Sequence, residues 1–215
     1  TSVQAILVDL GNPRSTPRKQ DLVNENAEQE QDMRKLKLQV QISIDGFVAG
    51  PEGQLDWMTW EHDQKLIAFI THLTDTSDTI LMGRKMTEGF VNYWESVKPE
   101  SPEYEFAQKM VKTPKVVFSR SIKKIEGKNV RVENGPMVEA VKRLKSQSGK
   151  DIIVYGGAGF VSSLIENHLI DELNLFVNPI AIGQGLRIFS QRTPLAFVGS
   201  VAYSGGIVVN TYKPR

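Results

Sequence analysis

Asp151-Ile152-Ile153-Val154-Tyr155-Gly156-Gly157-Ala158-Gly159-Phe160-Val161 is the stretch whose reading decides the fold. Its first five residues, apolar after Asp151 and rich in β-branched side chains, read as a short strand, and the glycines that follow end it. Phe160, Val161, Leu164 and Ile165 then place their side chains along one stripe of a helix. A strand that runs through glycines into a helix belongs to a sheet with helical crossovers. The turn also has a chemistry, because glycines let backbone approach a phosphate and a helix N-terminus presents free N–H groups. The segment Gly157 to Ser162 departs from the dinucleotide fingerprint, with Ser162 where a third glycine belongs, and it lies late in the chain. A tight structural turn and a phosphate cradle both remain open for it.

The rest of the chain repeats this pattern. Leu36, Leu38, Val40, Ile42 and Ile44 alternate with Lys37, Gln39, Gln41 and Ser43, a strand of period two that Asp45-Gly46 closes in a turn. A helix is predicted over 61–74, a strand at Thr79–Met82, and a helix at Lys85–Tyr93. Pro102–Lys112 follows as a helix and Lys115–Ser119 as a strand. Met137, Ala140, Val141 and Leu144 form a helical stripe, with Pro136 suited to its first position. The last third is β-rich: Glu172–Val177, Leu195–Tyr203 and Ile207–Tyr212, the latter two joined through Ser204-Gly205-Gly206. The expected fold class is α/β, a mostly parallel central sheet with an antiparallel C-terminal edge hairpin.

Two further strand ends carry phosphate-compatible chemistry. Leu81-Met82 runs into Gly83-Arg84-Lys85-Met86-Thr87, where two cations open a helix against its dipole, a choice that an anionic ligand offsets. Phe118 runs into Ser119-Arg120-Ser121, two hydroxyls and a guanidinium fork. Each taken singly is also an ordinary solvated turn. Three such ends together place a ligand beyond the carboxyl edge of the sheet.

Composition narrows the classes. Lys and Arg number 26 against 25 Asp and Glu, so no basic excess marks a nucleic-acid binder. With no cysteine, disulfides, thiolate metal sites and a Cys nucleophile are excluded. No apolar run reaches the roughly 18 residues of a membrane span, and Thr1–Leu10 lacks a basic lead-in, so neither a membrane segment nor a secretory signal is expected. His62, His72 and His168 show no ligand spacing, and no metal is expected. A cytoplasmic protein acting on a small molecule is the expectation. Residues 1–32 are polar and without apolar period, and read as an N-terminal extension (an expression remnant, a misassigned start or a natural arm). Val3, Ile6, Leu7, Val8 and Leu10 are the residues able to dock it. The domain is expected over 33–215.

The order Ser43-Ile44-Asp45-Gly46-Phe47-Val48-Ala49, Leu55-Asp56-Trp57, Met82-Gly83-Arg84-Lys85-Met86-Thr87, Ser119-Arg120 and Gly156-Gly157-Ala158-Gly159 resembles the dihydrofolate reductase-like superfamily. Within it, Pro179-Ile180-Ala181-Ile182-Gly183-Gln184-Gly185 with Phe189 is similar to the riboflavin-biosynthesis reductase branch, the RibD C-terminal domain. The resemblance covers about residues 33–213. It implies a three-layer fold and an NADPH-dependent reductase of a C=N or C=O substrate, in the manner of 5-amino-6-(5-phosphoribosylamino)uracil reductase. Dihydrofolate or pterin reduction and a non-catalytic NADP-binding module are the alternatives.

The same resemblance implies roles for single residues. Val48 and Ala49 would line the nicotinamide; Gly83, Arg84, Lys85 and Thr87 would meet the phosphates. Ser119 and Arg120 would hold the 2′-phosphate. Gly156, Gly157, Ala158, Gly159 and Phe160 would wrap the pyrophosphate and ribose. On the substrate side Trp57 is similar in place to the tryptophan of dihydrofolate reductases, with Glu61 or Asp63 near the place of the pterin-binding carboxylate but out of register. Asp45, Asp63 and Trp57 are therefore the catalytic candidates. Asp45 reads equally as a turn former and Asp63 as a helix-start carboxylate. A homodimer is expected through the β-rich last third, where Leu173, Leu175, Val177, Val198, Val201, Val208 and Val209 offer much apolar strand surface.

Overall fold

Glycine-ended strands and helical crossovers assemble as the pattern requires. The computed structural model describes residues 33–59 and 63–215. The apolar positions of the N-terminal extension, and Trp60, Glu61 and His62, lie outside the described residues. Among the described residues, eight strands form one sheet: β1 Leu36–Ser43, β2 Ser77–Gly83, β3 Lys115–Phe118, β4 Val130–Glu133, β5 Asp151–Gly156, β6 Glu172–Asn178, β7 Leu195–Ala202 and β8 Val208–Pro214. Five helices accompany them: α1 Gln64–Asp75, α2 Arg84–Ser96, α3 Tyr104–Lys112, α4 Met137–Lys145 and α5 Ala158–Glu166.

The strand order is β4-β3-β2-β5-β1-β6-β8-β7. Every pair from β4 to β6 is parallel, and β8 joins β6 and β7 antiparallel. The fold is α/β as expected, a mostly parallel sheet with an antiparallel C-terminal edge. Helices cover both faces. On one, Val141 and Leu144 of α4 and Val161 and Leu164 of α5 pack on Leu36, Leu38, Val40 and Ile42 of β1. On the other, Leu66 and Leu73 of α1 and Met110 of α3 pack on Ile80, Met82, Ile153 and Phe176. Burial of this kind contributes about 25 cal/mol per Å² of apolar surface and is what holds the layers together.

Differences from the sequence-based expectation have local causes. β4 is absent from that expectation: with four residues, only Val130 and Val132 apolar, and an edge position, it shows too little period to stand out, and pairing with β3 makes it a strand. Pro136 caps α4 rather than opening it, with its φ near −57° already suited to a helix start. Helix α1 begins at Gln64 because Asp63, extended at ψ 116°, is its N-cap. The alternation in β1 suggests one wet face, but β1 lies between β5 and β6 under helices on both sides. Gln39 is consequently buried.

Lys115 opens β3 almost fully buried. Its ammonium donates to the carbonyls of Met110, Val111 and Thr113 at 2.7, 3.0 and 2.8 Å and so closes the C-terminus of α3. Burial pushes its pKa down to about 8.

Candidate active site

β2 and β5 lie side by side, and their last residues meet. Gly157, at φ 90°, sits against Gly83: a Cβ on Gly157 would come within 3.0 Å of the Gly83 Cα and 3.2 Å of its nitrogen. Gly156 holds φ 149°. L side chains rarely adopt either conformation, so the junction requires glycine for backbone reasons before any ligand is considered. The contact brings the N-termini of α2 and α5 together, and neither has a side-chain cap. The first-turn N–H groups of both helices therefore lack intrahelical acceptors, and two positive dipole ends converge.

The expected cofactor residues distribute around this junction. Gly83 caps α2, and Ala158, Gly159 and Phe160 form the first turn of α5. Nothing lies within 4 Å of a Cβ placed on Gly159, so that side of the turn is open. Arg84 and Lys85 are exposed, and neither forms an ion pair among the described residues. Thr87 is fully buried and its hydroxyl donates to the Gly83 carbonyl at 3.1 Å, which closes the first turn of α2.

One strand further out, the Phe118 and Phe160 rings stack at 4.9 Å and 23° and make an aromatic shelf between β3 and α5. Ser119 and Arg120 follow on the same edge. The Ser119 Oγ accepts from the N–H groups of Ser121 and Ile122 at 3.2 and 3.3 Å. Asn134 donates to the carbonyls of Ser119 and Ile122 at 2.6 and 2.7 Å. This loop is thus shaped by its own hydrogen bonds and presents Arg120, exposed, to solvent.

The far side of the groove is built by the loop after β1. Gly46 at φ 89° makes the turn, and Ser43 N–H donates to Phe47 carbonyl at 2.8 Å. Asp45 accepts from Ser43 Oγ at 2.6 Å, Ile182 N at 3.2 Å and Gly183 N at 2.8 Å, which holds its carboxyl below the usual carboxylate range. It pins the 180–187 loop to the end of β1. Val48 donates to Leu186 carbonyl at 2.9 Å and Leu186 to Ala49 carbonyl at 2.8 Å, so Val48 and Ala49 are buried in a two-stranded bridge. Arg187 lies over the Phe47 ring, 4.0 Å from its centroid.

Asp63 and Trp57 occupy other surroundings. Asp63 Oδ1 accepts from Lys65 N and Leu66 N at 2.8 and 3.0 Å, and Oδ2 from Ser204 N and Oγ at 2.8 and 2.6 Å. The Ser204 hydroxyl first, then the three N–H groups, hold its pKa down to about 2. Asp63 ties α1 to the β7–β8 hairpin as an ionised group. Trp57 donates from Nε1 to Gln54 carbonyl at 3.2 Å. Asp45, Asp63 and Trp57 share no hydrogen-bond partner among the described residues.

Sequence reasoning misses an amide lane on the α1 side of β1 and β6. Asn178, fully buried, donates to Gln41 Oε1 at 2.7 Å and to Phe176 carbonyl at 3.1 Å; it accepts from Thr59 N and Oγ1 at 3.1 and 3.0 Å. The signal for it exists: a central parallel strand is ordinarily apolar on both faces, and Gln39 and Gln41 break that rule. Arg187 is missed as well, and nothing in its local sequence marks it.

Comparison with known proteins agrees with this geometry. Residues 34–209 match the family model described as the RibD C-terminal domain. The chain is 31% identical over 182 residues to Uncharacterized protein YyaP of Bacillus subtilis (strain 168), covering 83% of this chain and 94% of that one. Its fold is similar to the diaminohydroxyphosphoribosylaminopyrimidine deaminase/5-amino-6-(5-phosphoribosylamino)uracil reductase of Thermotoga maritima, with TM-score 0.61, 15% identity, and coverage of 91% of this chain and 63% of that chain. It is also similar to dihydrofolate reductase from Enterococcus faecalis complexed with NADP(H), with TM-score 0.55, 17% identity, and coverage of 84% and 96%. The match to the family model begins just before β1 and runs into β8, through every element that shapes the groove, and on that extent the chain belongs to the RibD C-terminal domain family.

Proposed function

We propose that this protein is a cytoplasmic NADPH-dependent reductase of a small C=N or C=O substrate, of the kind 5-amino-6-(5-phosphoribosylamino)uracil reductase acts on. The observation that carries the reading is the Gly83–Gly157 contact, which sets two uncapped helix N-termini side by side, with Arg84 and Lys85 opening one of them and Arg120 exposed just after the next strand. A pyrophosphate fits such a cradle: backbone can be approached closely, N–H groups await acceptors, and positive charge is in excess. Bound NADPH supplies the hydride. The chain's residues do the rest by position. Gly83, Gly156, Gly157, Ala158 and Gly159 hold the pyrophosphate, and Arg84 and Lys85 add charge. Phe118 and Phe160 support the adenine end, where Ser119 and Arg120 meet the 2′-phosphate. Thr87 acts from inside, keeping the first turn of α2 in place. The Val48–Ala49 bridge, anchored through Asp45, walls the nicotinamide and excludes water. Asp63 and Trp57 position the α1 side of the substrate pocket; with its four hydrogen-bond donors Asp63 is not the proton source.

Spectrophotometric assay of NADPH oxidation tests the proposal, with the phosphoribosylaminouracil, dihydrofolate and pterin as substrates. Turnover on the aminouracil above the other two is expected. Tight NADPH binding without turnover on any of them would instead favour a non-catalytic NADP module, and absence of NADPH binding would refute the reading.

We also propose a homodimer through β7. The exposed apolar side chains of the sheet gather on this edge strand: Phe197, Val198 and Val201 are 64%, 52% and 53% exposed, whereas Leu173, Leu175 and Val209 of the neighbouring strands are buried. An unpaired, apolar edge calls for a partner. Light scattering at micromolar concentration should give twice the 24.1 kDa chain mass, and Val201→Lys should return it to that mass.

A further inference from the structure

The amide lane contains one group without a partner. Gln39 is 9% exposed and its Oε1 has no hydrogen-bond donor among the described residues. Burying an amide oxygen unpaired costs on the order of 1–3 kcal/mol in mutational measurements. Its neighbours do not relieve it. Asn174, aligned with Gln39 across β1 and β6, spends its amide on Glu172 at 3.1 Å and Thr211 at 3.0 Å. Gln41, two residues on, already accepts on its Oε1 from Asn178. Among the described residues none donates to Gln39, and the carboxamide waits in a lane whose other members are fixed.

The direction in which Gln39 faces follows from the register. Gln41 is aligned with Phe176, whose ring lies 6.0 Å from Phe69 of α1, so the Gln39–Gln41 side of β1 faces that helix. Phe69 and Ile70 of α1, Phe90 of α2 and Gln41 itself are only partly buried, so the helices do not close this side of the sheet completely. Phe69, Ile70 and Phe90 contribute apolar surface on this side, and Gln39 and Gln41 contribute carboxamide.

We infer that Gln39 is a specificity-determining residue, whose carboxamide receives the donor–acceptor edge of a planar nitrogen heterocycle held between α1 and the sheet. The inference rests on the reductase reading and names how the substrate end of that site recognises its ligand. A carboxamide offers a coplanar acceptor and donor, and the complementary partner is a ring with an N–H beside a C=O, as a lactam has. Gln41 lies two residues on along the same side of β1, held by Asn178, which Thr59 fixes in turn.

Calorimetric titration of pterin and 5-aminouracil, each against its ring-N-methylated analogue, into the NADPH complex tests the inference. At least one unmethylated probe is expected to bind ten-fold or more tightly than its methylated form. Gln39→Met should erase that preference, leave NADPH affinity unchanged, and keep or raise the melting temperature of the free protein, because it removes an unpaired buried acceptor. An unchanged preference in Gln39→Met, no binding of either probe by the NADPH complex, or a melting temperature several degrees lower would overturn it, the last by making Gln39 a structural residue. Failure of NADPH itself to bind would count against the reductase reading alone, and the same titrations without NADPH would still decide the role of Gln39.

Discussion

Gly157→Val is expected to lose NADPH binding and to lower stability together. Valine would have to adopt φ 90°, and its Cβ would sit 3.0 Å from the Gly83 Cα, a contact with backbone that no rotamer change relieves. Strained backbone costs on the order of 1–3 kcal/mol, and overpacking a tight junction a similar amount. Together these make about 2–6 kcal/mol, a large part of a typical domain's stability. Gly159→Leu separates the ligand effect from the structural one. Gly159 is in the first turn of α5 with nothing within 4 Å of its added Cβ, so the variant should fold with unchanged or higher melting temperature. It should nevertheless weaken NADPH at least ten-fold, because under the proposed reading the pyrophosphate lies on that open side. Fluorescence titration with thermal unfolding checks both variants. A Gly159→Leu protein that binds NADPH normally would remove this turn from the site.

Arg120→Ala is expected to weaken NADPH about ten-fold or more while leaving NADH affinity unchanged. Hydrogen bonds to charged groups contribute about 1.5–3 kcal/mol, and every 1.4 kcal/mol is about ten-fold in affinity. Arg120 is exposed and enters no ion pair among the described residues, so its removal breaks nothing in the protein itself. The lower end of the range is expected because solvent and salt screen an exposed guanidinium. The gap between the cofactors should narrow further as ionic strength rises in the unmodified protein. Equal losses for NADPH and NADH in Arg120→Ala would place the residue away from the 2′-phosphate.

Both predictions use strand ends that are legible in the amino-acid sequence. Gly83, Gly157 and Arg120 each lie at or just after the end of a strand, and a strand end is marked by local signals: side-chain period, β-branched residues and glycine. Those signals act over a few residues, which is why the α/β class and the order of elements follow from the chain alone. They also explain what is missed: β4 is too short to show a period.

The substrate side depends on contacts between distant parts of the chain. Asp63 and Ser204 are 141 residues apart, and only their meeting turns a helix-start carboxylate into a clamp with four donors. Gln39 reads as the polar half of an alternating strand, and becomes an unpaired buried amide only because β1 settles between β5 and β6 under helices on both faces. Period and turn chemistry are properties of neighbours in sequence, and they determined the sheet, its crossovers and its glycine ends. Burial and hydrogen-bond partnership are properties of neighbours in space, so only the tertiary structure decided which carboxylates are spent, which glycines touch, and which amide is left free.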